Sequence, residues 1–333
     1  MITAPHEIQV SIVVPCFNEE ESLAELVRRV VLVGASLSGP WELILVDDGS
    51  TDATWSLILE HAAEHTPIQG VRLSRNYGHQ LALTAGLSVA RGRRIAMIDA
   101  DLQDPPELLP AMLERMDQGF DVVYGRRIAR EGESAFKKVT ASAFYLLIRA
   151  LSDVDIPADT GDFRVVSRRA LDDFLTMGER YRFVRGMFSW IGYRQSAFEY
   201  RREARFAGDT KYPLHKMIQF ALNALTGFSI APLKLATNLA YLSLILCFAM
   251  AIYIAVSLVA FQTAPGWASV LAAISFFSGM QLLTQGIMGE YIGRLYMESK
   301  GRPLFLIQEH TALRDPANAP HSTSEPLNTV AGS

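Results

Sequence analysis

Residues Ile95 to Pro110 read IAMIDADLQDPPELLP. An apolar run of the kind that forms a buried strand ends abruptly in Asp99, Asp101 and Asp104, with Gln103 among them and Pro105 and Pro106 behind. Where a strand end turns into a loop, Asp99 and Asp101 can approach one ligand. Carboxylates this close repel each other, and a bound cation removes that cost. Oxygen donors of this kind suit Mg²⁺ or Mn²⁺ shared with substrate phosphates, with Gln103 as a further oxygen or a neutral hydrogen bond. The two prolines stiffen the exit from the loop.

Outward from this stretch, strands and helices alternate. Strand patterns cover Ile8–Pro15, Trp41–Asp47, Ile68–Ser74, Arg93–Ala100 and Phe120–Arg127. Helical spacing fills the intervals Glu19–Leu37, Thr51–His65, His79–Gly92 and Pro106–Gly119. Near-continuously apolar strands separated by helices predict an α/β, Rossmann-like fold with a mostly parallel sheet covered on both faces. Ligands of such sheets sit beyond the carboxyl ends of the strands. The unusual residues gather there: PCFNEE after the first strand, DDGSTD after the second, SRNYGHQ after the third, DADLQDPP after the fourth and YGRR after the fifth. No GxGxxG follows the first strand and no GxxxxGK[ST] occurs, so neither a dinucleotide fingerprint nor a P-loop holds the phosphates.

The carboxyl-terminal third differs. Thr237–Phe261 and Trp267–Gly289 contain no charged residue, and each exceeds the roughly 20 residues that cross a bilayer core. Separated by QTAPG, they predict a two-helix transmembrane hairpin. Lys234 precedes it, Arg294, Lys300 and Arg302 follow it, and the loop Gln262–Gly266 has no basic residue, which puts both ends in the cytoplasm. Tyr212–Phe228 has apolar residues at helical spacing with light charge and reads as an amphipathic helix in the membrane surface. The domain plan is a catalytic region over 1–210, interfacial helices over 211–233, a hairpin over 234–292 with spans near 235–261 and 267–291, and a tail over 293–333, disordered after about 311. The net charge of −4 does not point to nucleic acid, and Cys16 and Cys247 lie too far apart for a disulfide framework or zinc knuckle.

Taken together, VVPCFNEEESL, VDDGSTD, LSRNYGHQLAL, DADLQDPPE, GRR, GDFRVVSRRAL, ERYRFVRGM and GDTKYPLHKM resemble the polyprenyl-phosphate glycosyltransferases, inverting family-2 enzymes of the GT-A fold. The resemblance spans roughly Ile8 to Arg302. It implies a nucleotide-diphospho-sugar donor, a polyprenyl (undecaprenyl) phosphate acceptor, Mg²⁺ or Mn²⁺, a place in the inner (plasma) membrane with the catalytic domain cytoplasmic, and a homo-tetramer formed through the membrane helices. UDP-glucose is the first donor it suggests; UDP-galactose, GDP-mannose and a modified arabinose stay open.

Carried over by residue, the resemblance implies that Pro15, Asn18 and Glu19 line the nucleotide pocket. Asp47 would hold the base with Asp48 nearby, and Arg75 and Asn76 would neighbour nucleotide and sugar. Asp99, Asp101 and Gln103 match the metal motif. Arg126 would face the acceptor, Asp162 and Arg164 the catalytic side, and Arg202, Arg205 and Lys211 the phosphates near the membrane. Thr210 and Tyr77 stand where the family often has serine and phenylalanine. The bland alternatives are surface charge for Arg126 and Arg127, a structural pair for Asp162 and Arg164, lipid attraction for Arg202, Arg205 and Lys211, and an ordinary helix start for His79. An acceptor that is already an anion needs little help from a base, which fits the absence of an obvious His–Asp dyad. Two other readings compete: a processive polysaccharide synthase, which lacks its QxxRW here, and a silent membrane scaffold that only binds the nucleotide sugar.

Overall fold

In the computed structural model, the structure describes residues 7–128, 160–201, 231–260 and 266–313. Strands β1 (Val10–Cys16), β2 (Trp41–Asp47), β3 (Ile68–Leu73), β4 (Arg94–Met97), β5 (Val122–Arg127), β6 (Thr160–Ser167), β7 (Gln195–Tyr200) and β8 (Ile307–His310) form one sheet in the order 7-5-6-4-1-2-3-8. The helices between them are α1 (Leu23–Ser36), α2 (Thr54–Glu64), α3 (His79–Val89), α4 (Leu109–Asp117), α5 (Arg168–Thr176) and α6 (Val184–Ile191). Two long helices, α7 (Ala231–Ala260) and α8 (Trp267–Ser299), precede β8.

Alternation along each strand builds a core on each face. Ile12, Val14, Leu43 and Leu45 meet α1, α2 and α4, whereas Val13, Ile44 and Val46 meet α3, α5 and α6. Gly86 lets α3 lie directly on the sheet: a Cβ there would overlap a Val13 methyl. Pro15 is tolerated in the central strand because β1 pairs with β4 only as far as Val13–Met97. At the amino ends of the strands, buried Glu42 accepts from Ser11, Gln69 and Arg91 and so stays fully engaged within the fold.

The sheet departs from the expected pattern in three places. β6 runs antiparallel between β4 and β5, and β8 runs antiparallel to β3, so the mostly parallel sheet is mixed. The expected fourth strand stops at Met97, four residues before Asp101, which leaves DADLQ free to form a loop. After α8 the chain returns as the edge strand β8 and the turn Thr311–Leu313, within the segment expected over 293–333. The remainder of the expected tail, the interfacial helix Tyr212–Phe228 and most of the loop Gln262–Gly266 lie outside the described residues.

In α7, Pro232–Tyr253 is 22 residues long with mean hydropathy 2.0 and is only 6% buried, long and apolar enough to cross a bilayer. Among the described residues it is the one stretch with these properties, which matches the first of the two expected spans. Ala240, Ser243, Leu244 and Cys247 of α7 share a cleft with Phe277, Met280, Gln281 and Thr284 of α8. Outside that cleft, large apolar side chains such as Ile245, Phe248 and Leu282 are exposed, a pattern that marks an interaction with lipid or protein rather than water.

Candidate active site

The loops that leave β1, β2, β3 and β4 meet at one rim of the sheet. The β1 and β2 loops are stitched together first. Asn18 adopts φ 55°, a conformation asparagine tolerates. Its amide donates to Ser50 Oγ at 3.0 Å and its Oδ1 accepts from Thr51 N at 2.9 Å. Glu19 N donates to Thr54 Oγ1 at 2.8 Å. Asp47 is fully buried, accepts from Ser50 N at 2.9 Å through Oδ1, and lies 3.2 Å from Arg72 Nε through Oδ2. Asp48 reaches the next loop, accepting from Tyr77 N at 2.7 Å and Gly78 N at 2.8 Å; burial raises its carboxyl despite those bonds. Gly49 between them has φ 70°, and a Cβ on it would stand 2.7 Å from the backbone of Arg75 and Asn76. The DDGS turn and the SRN segment are therefore in contact, with Arg75 exposed and stacked over Tyr77, its guanidinium carbon 4.0 Å from the ring centroid.

The β4 loop carries Asp99, Asp101 and Gln103, all partly exposed. Asp101 Oδ1 accepts from Gln103 N at 3.2 Å, and Leu102 between them is held at φ 58°, a costly conformation for leucine that its full burial enforces. Asp104, wholly buried, anchors the loop by accepting from the Tyr200 hydroxyl at the end of β7 and lies 4.0 Å from Arg127. Burial raises the Asp99 carboxyl to about 6; Asp162, Asp104 and Asp101 add to this and His79 opposes it.

Asp162 on β6 is the hub of the site. Its Oδ1 accepts from Arg185 Nε at 3.0 Å; its Oδ2 accepts from Gln80 Nε2 at 2.8 Å and meets His79 Nε2 at 3.2 Å. Burial disfavours the ionised Asp162, yet Arg185, His79 and Arg164 outweigh it and hold the carboxyl well below the usual range. His79 also lies 3.5 Å from Asp99, with 43% of its side chain open to solvent. Burial acts against its charged form, but the Asp162 hydrogen bond and the two carboxylates outweigh it and raise the imidazole to about 9. Gln80 Oε1 in turn accepts from Val184 N at 2.9 Å, tying α3 to α6.

The rim thus brings together Pro15, Asn18, Glu19, Asp47, Asp48, Arg75 and Asn76 on one side and Asp99, Asp101, Gln103 and Asp162 on the other. Arg126 stands apart in an exposed ion pair with Glu199, while its neighbour Arg127 is turned inward toward Asp104. Arg164 is buried, donates to Gly161 O at 3.1 Å and lies over Phe188; Asp162 pairs with Arg185 instead, and burial lowers the Arg164 guanidinium to about 10. Arg202, Arg205 and Lys211 lie outside the described residues. The His79–Asp162 contact is a His–Asp pair that is not obvious in the sequence: the partners are 83 residues apart and meet because β6 inserts beside β4. Gln80 and Arg185 reach the same carboxylate from separate segments. Among the described residues, no group of three or more His, Cys, Asp or Glu side chains is gathered for metal binding.

Residues 11–175 match the family described as glycosyl transferase family 2. The chain is 45% identical over 303 residues to the "Uncharacterized glycosyltransferase YkcC" of Bacillus subtilis (strain 168), covering 91% of this chain and 94% of that one. It is 36% identical over 302 residues to the "Prophage bactoprenol glucosyl transferase homolog" of Escherichia coli (strain K12), covering 90% and 99%. It is 35% identical over 302 residues to the "Bactoprenol glucosyl transferase" of Shigella phage SfX, again covering 90% and 99%.

Proposed function

Because this chain belongs to glycosyl transferase family 2, a family of glycosyltransferases, we propose that it moves a sugar, glucose in the first instance, from a nucleotide-diphospho-sugar to polyprenyl phosphate. The observation that carries this reading is the match to bactoprenol glucosyl transferases over nine-tenths of the chain, a length that takes in the long helices as well as the sheet. The donor binds along the β1–β3 rim, with Asp47 on the base, Asp48 and Gly49 shaping the turn, and Pro15, Asn18, Glu19, Arg75 and Asn76 around the nucleotide. An acceptor phosphate oxygen attacks the anomeric carbon as the bond to the diphosphate breaks. The nucleoside diphosphate leaves with the electron pair and the anomeric centre inverts.

The nucleophile is an anion, so its alignment matters more than its deprotonation; a displacement of about 1 Å costs roughly a hundredfold in rate. Asp162, engaged by Arg185, Gln80 and His79, is suited to orienting groups at the sugar rather than to taking a proton. Arg202, Arg205 and Lys211 supply the positive charge that holds the phosphates near the membrane.

The donor set fits a hard divalent cation. Asp99 and Asp101 offer carboxylate oxygens on a short, buried-backed loop, Gln103 offers a neutral one, and the burial that raises Asp99, with the neighbouring carboxylates adding to it, is a cost that a cation offsets. Mg²⁺ or Mn²⁺ there would neutralise the departing diphosphate.

α8 completes a second span, the hairpin holds the domain against the cytoplasmic face of the inner membrane, and the helices associate into a tetramer. The test is direct: purified chain, labelled UDP-glucose, undecaprenyl phosphate and Mg²⁺ should yield a chloroform-soluble labelled lipid. Donor binding without lipid product from UDP-glucose, UDP-galactose, GDP-mannose or a modified-arabinose donor would refute the transfer.

A further inference from the structure

Asp47, Arg72 and Glu309 stand in one row across three neighbouring strands. Asp47 on β2 is in register with Arg72 on β3, and Arg72 is in register with Glu309 on β8. The guanidinium bridges the row: Nε lies 3.2 Å from Asp47 Oδ2 and one terminal nitrogen lies 3.9 Å from Glu309 Oε1. Its flat face lies over Trp55, 5.5 Å from the ring centroid. Arg72 is thus gripped on three sides, and each grip limits where it points.

Glu309 reaches this position through a bulge. Leu73 pairs with Ile307 and Arg72 with Glu309, so Gln308 is the extra residue that advances Glu309 by one place. The strap is fastened on both sides of that bulge. Ser74 N donates to Leu306 O at 3.0 Å, Gly70 N donates to Thr311 Oγ1 at 2.9 Å, and Arg180 donates to Arg302 O at 2.7 Å.

We propose that Glu309 is a positioning residue of the donor site: it fixes Arg72, and Arg72 fixes the buried Asp47 carboxylate in the orientation that receives the base of a nucleoside diphosphate. The inference rests on the reading of Asp47 given above. A residue from beyond the long helices thereby completes a pocket built otherwise from the first strands. Cross-strand opposite charges contribute modestly when partly exposed, and Arg72 and Glu309 are 30% and 25% exposed.

The experiment is isothermal titration of the full detergent-solubilised chain with UDP and with GDP, with a melting curve for each variant. The variants are Asp47→Asn, Glu309→Gln, Glu309→Asp and Thr311→Val. Asp47→Asn should abolish binding. Glu309→Gln should weaken it about three- to fivefold, Glu309→Asp should recover most of that, and Thr311→Val, which loosens the strap without touching Arg72, should bind as wild type. Normal binding by Glu309→Gln beside lost binding in Asp47→Asn overturns the positioning role and leaves the Asp47 reading intact. Equal weakening in Thr311→Val also overturns it, because strap packing then suffices. Normal binding by Asp47→Asn, or no nucleotide binding by the wild type, overturns both.

Discussion

Replacing Asp162 with asparagine should be the most damaging isosteric change in the soluble domain. The carboxylate accepts from Arg185 on one oxygen and from Gln80 and His79 on the other, and only 5% of its side chain is exposed. An asparagine amide must turn its NH₂ toward one of these sides, where it meets another N–H donor. At least one charge-assisted bond is lost, about 1.5–3 kcal/mol. Arg185 and the buried Arg164 also lose their nearest counter-charge, and breaking such a buried pair costs about 3–5 kcal/mol. Taking about 3 kcal/mol as the net, a domain of this size should melt roughly 6–12 °C lower. The assay is tryptophan fluorescence of the detergent-solubilised chain on heating. Asp172→Asn is the control, because it removes only an exposed pair with Arg168 at 3.5 Å, worth less than about 1 kcal/mol. A drop for Asp162→Asn no larger than the control's would refute the view of Asp162 as the hub.

Asp101→Asn should leave the melting temperature near wild type and reduce lipid-linked product by at least about a hundredfold; chelation of all divalent ions should do the same to the wild type, reversibly on adding Mg²⁺ or Mn²⁺. Undiminished turnover in either case would remove the cation from the scheme. Gly49→Ala should weaken nucleotide binding measured by titration, since its new methyl meets the Arg75–Asn76 backbone at 2.7 Å and the positive φ adds about 1–2 kcal/mol of strain; wild-type affinity would contradict the contact. Asp121 is bonded by Arg169 and by Ser167 Oγ at 2.9 Å, and chiefly the Arg169 hydrogen bond holds its carboxyl below the usual range. A depressed folded value stabilises fully above the unfolded pKa of about 3.9 and fades as pH falls through the folded one. The melting gap between wild type and Asp121→Asn should therefore be widest near neutrality and close in acid; a gap independent of pH would count against the pair.

Alternation of apolar strands and helices made the first five strands and their loops legible, because the apolar pattern of each element is local to its own segment. The DDGS turn and the DADLQ loop could be placed at one rim for the same reason. What stayed hidden depends on contacts between distant segments. The reversed insertion of β6 creates the Asp162 hub, and no local pattern tells that His79, Gln80 and Arg185 converge there. Arg126 and Arg127 are adjacent, and pleating sends them to opposite faces, so sequence alone does not say which turns inward. Ile307–His310 is too short and too polar for a strand signal; it is a strand because β3 offers it an edge.

That edge carries a consequence for biosynthesis. Gly70 on β3 waits for Thr311, 241 residues further along, to satisfy its amide. A nascent chain emerging from the ribosome therefore carries β3 with one flank uncovered until the hydrophobic helices have been made. Uncovered flanks invite strand-to-strand association between molecules. Delayed insertion of those helices should accordingly appear first as aggregation of the still-open sheet, and truncation anywhere before β8 should yield inclusion bodies rather than a soluble fragment.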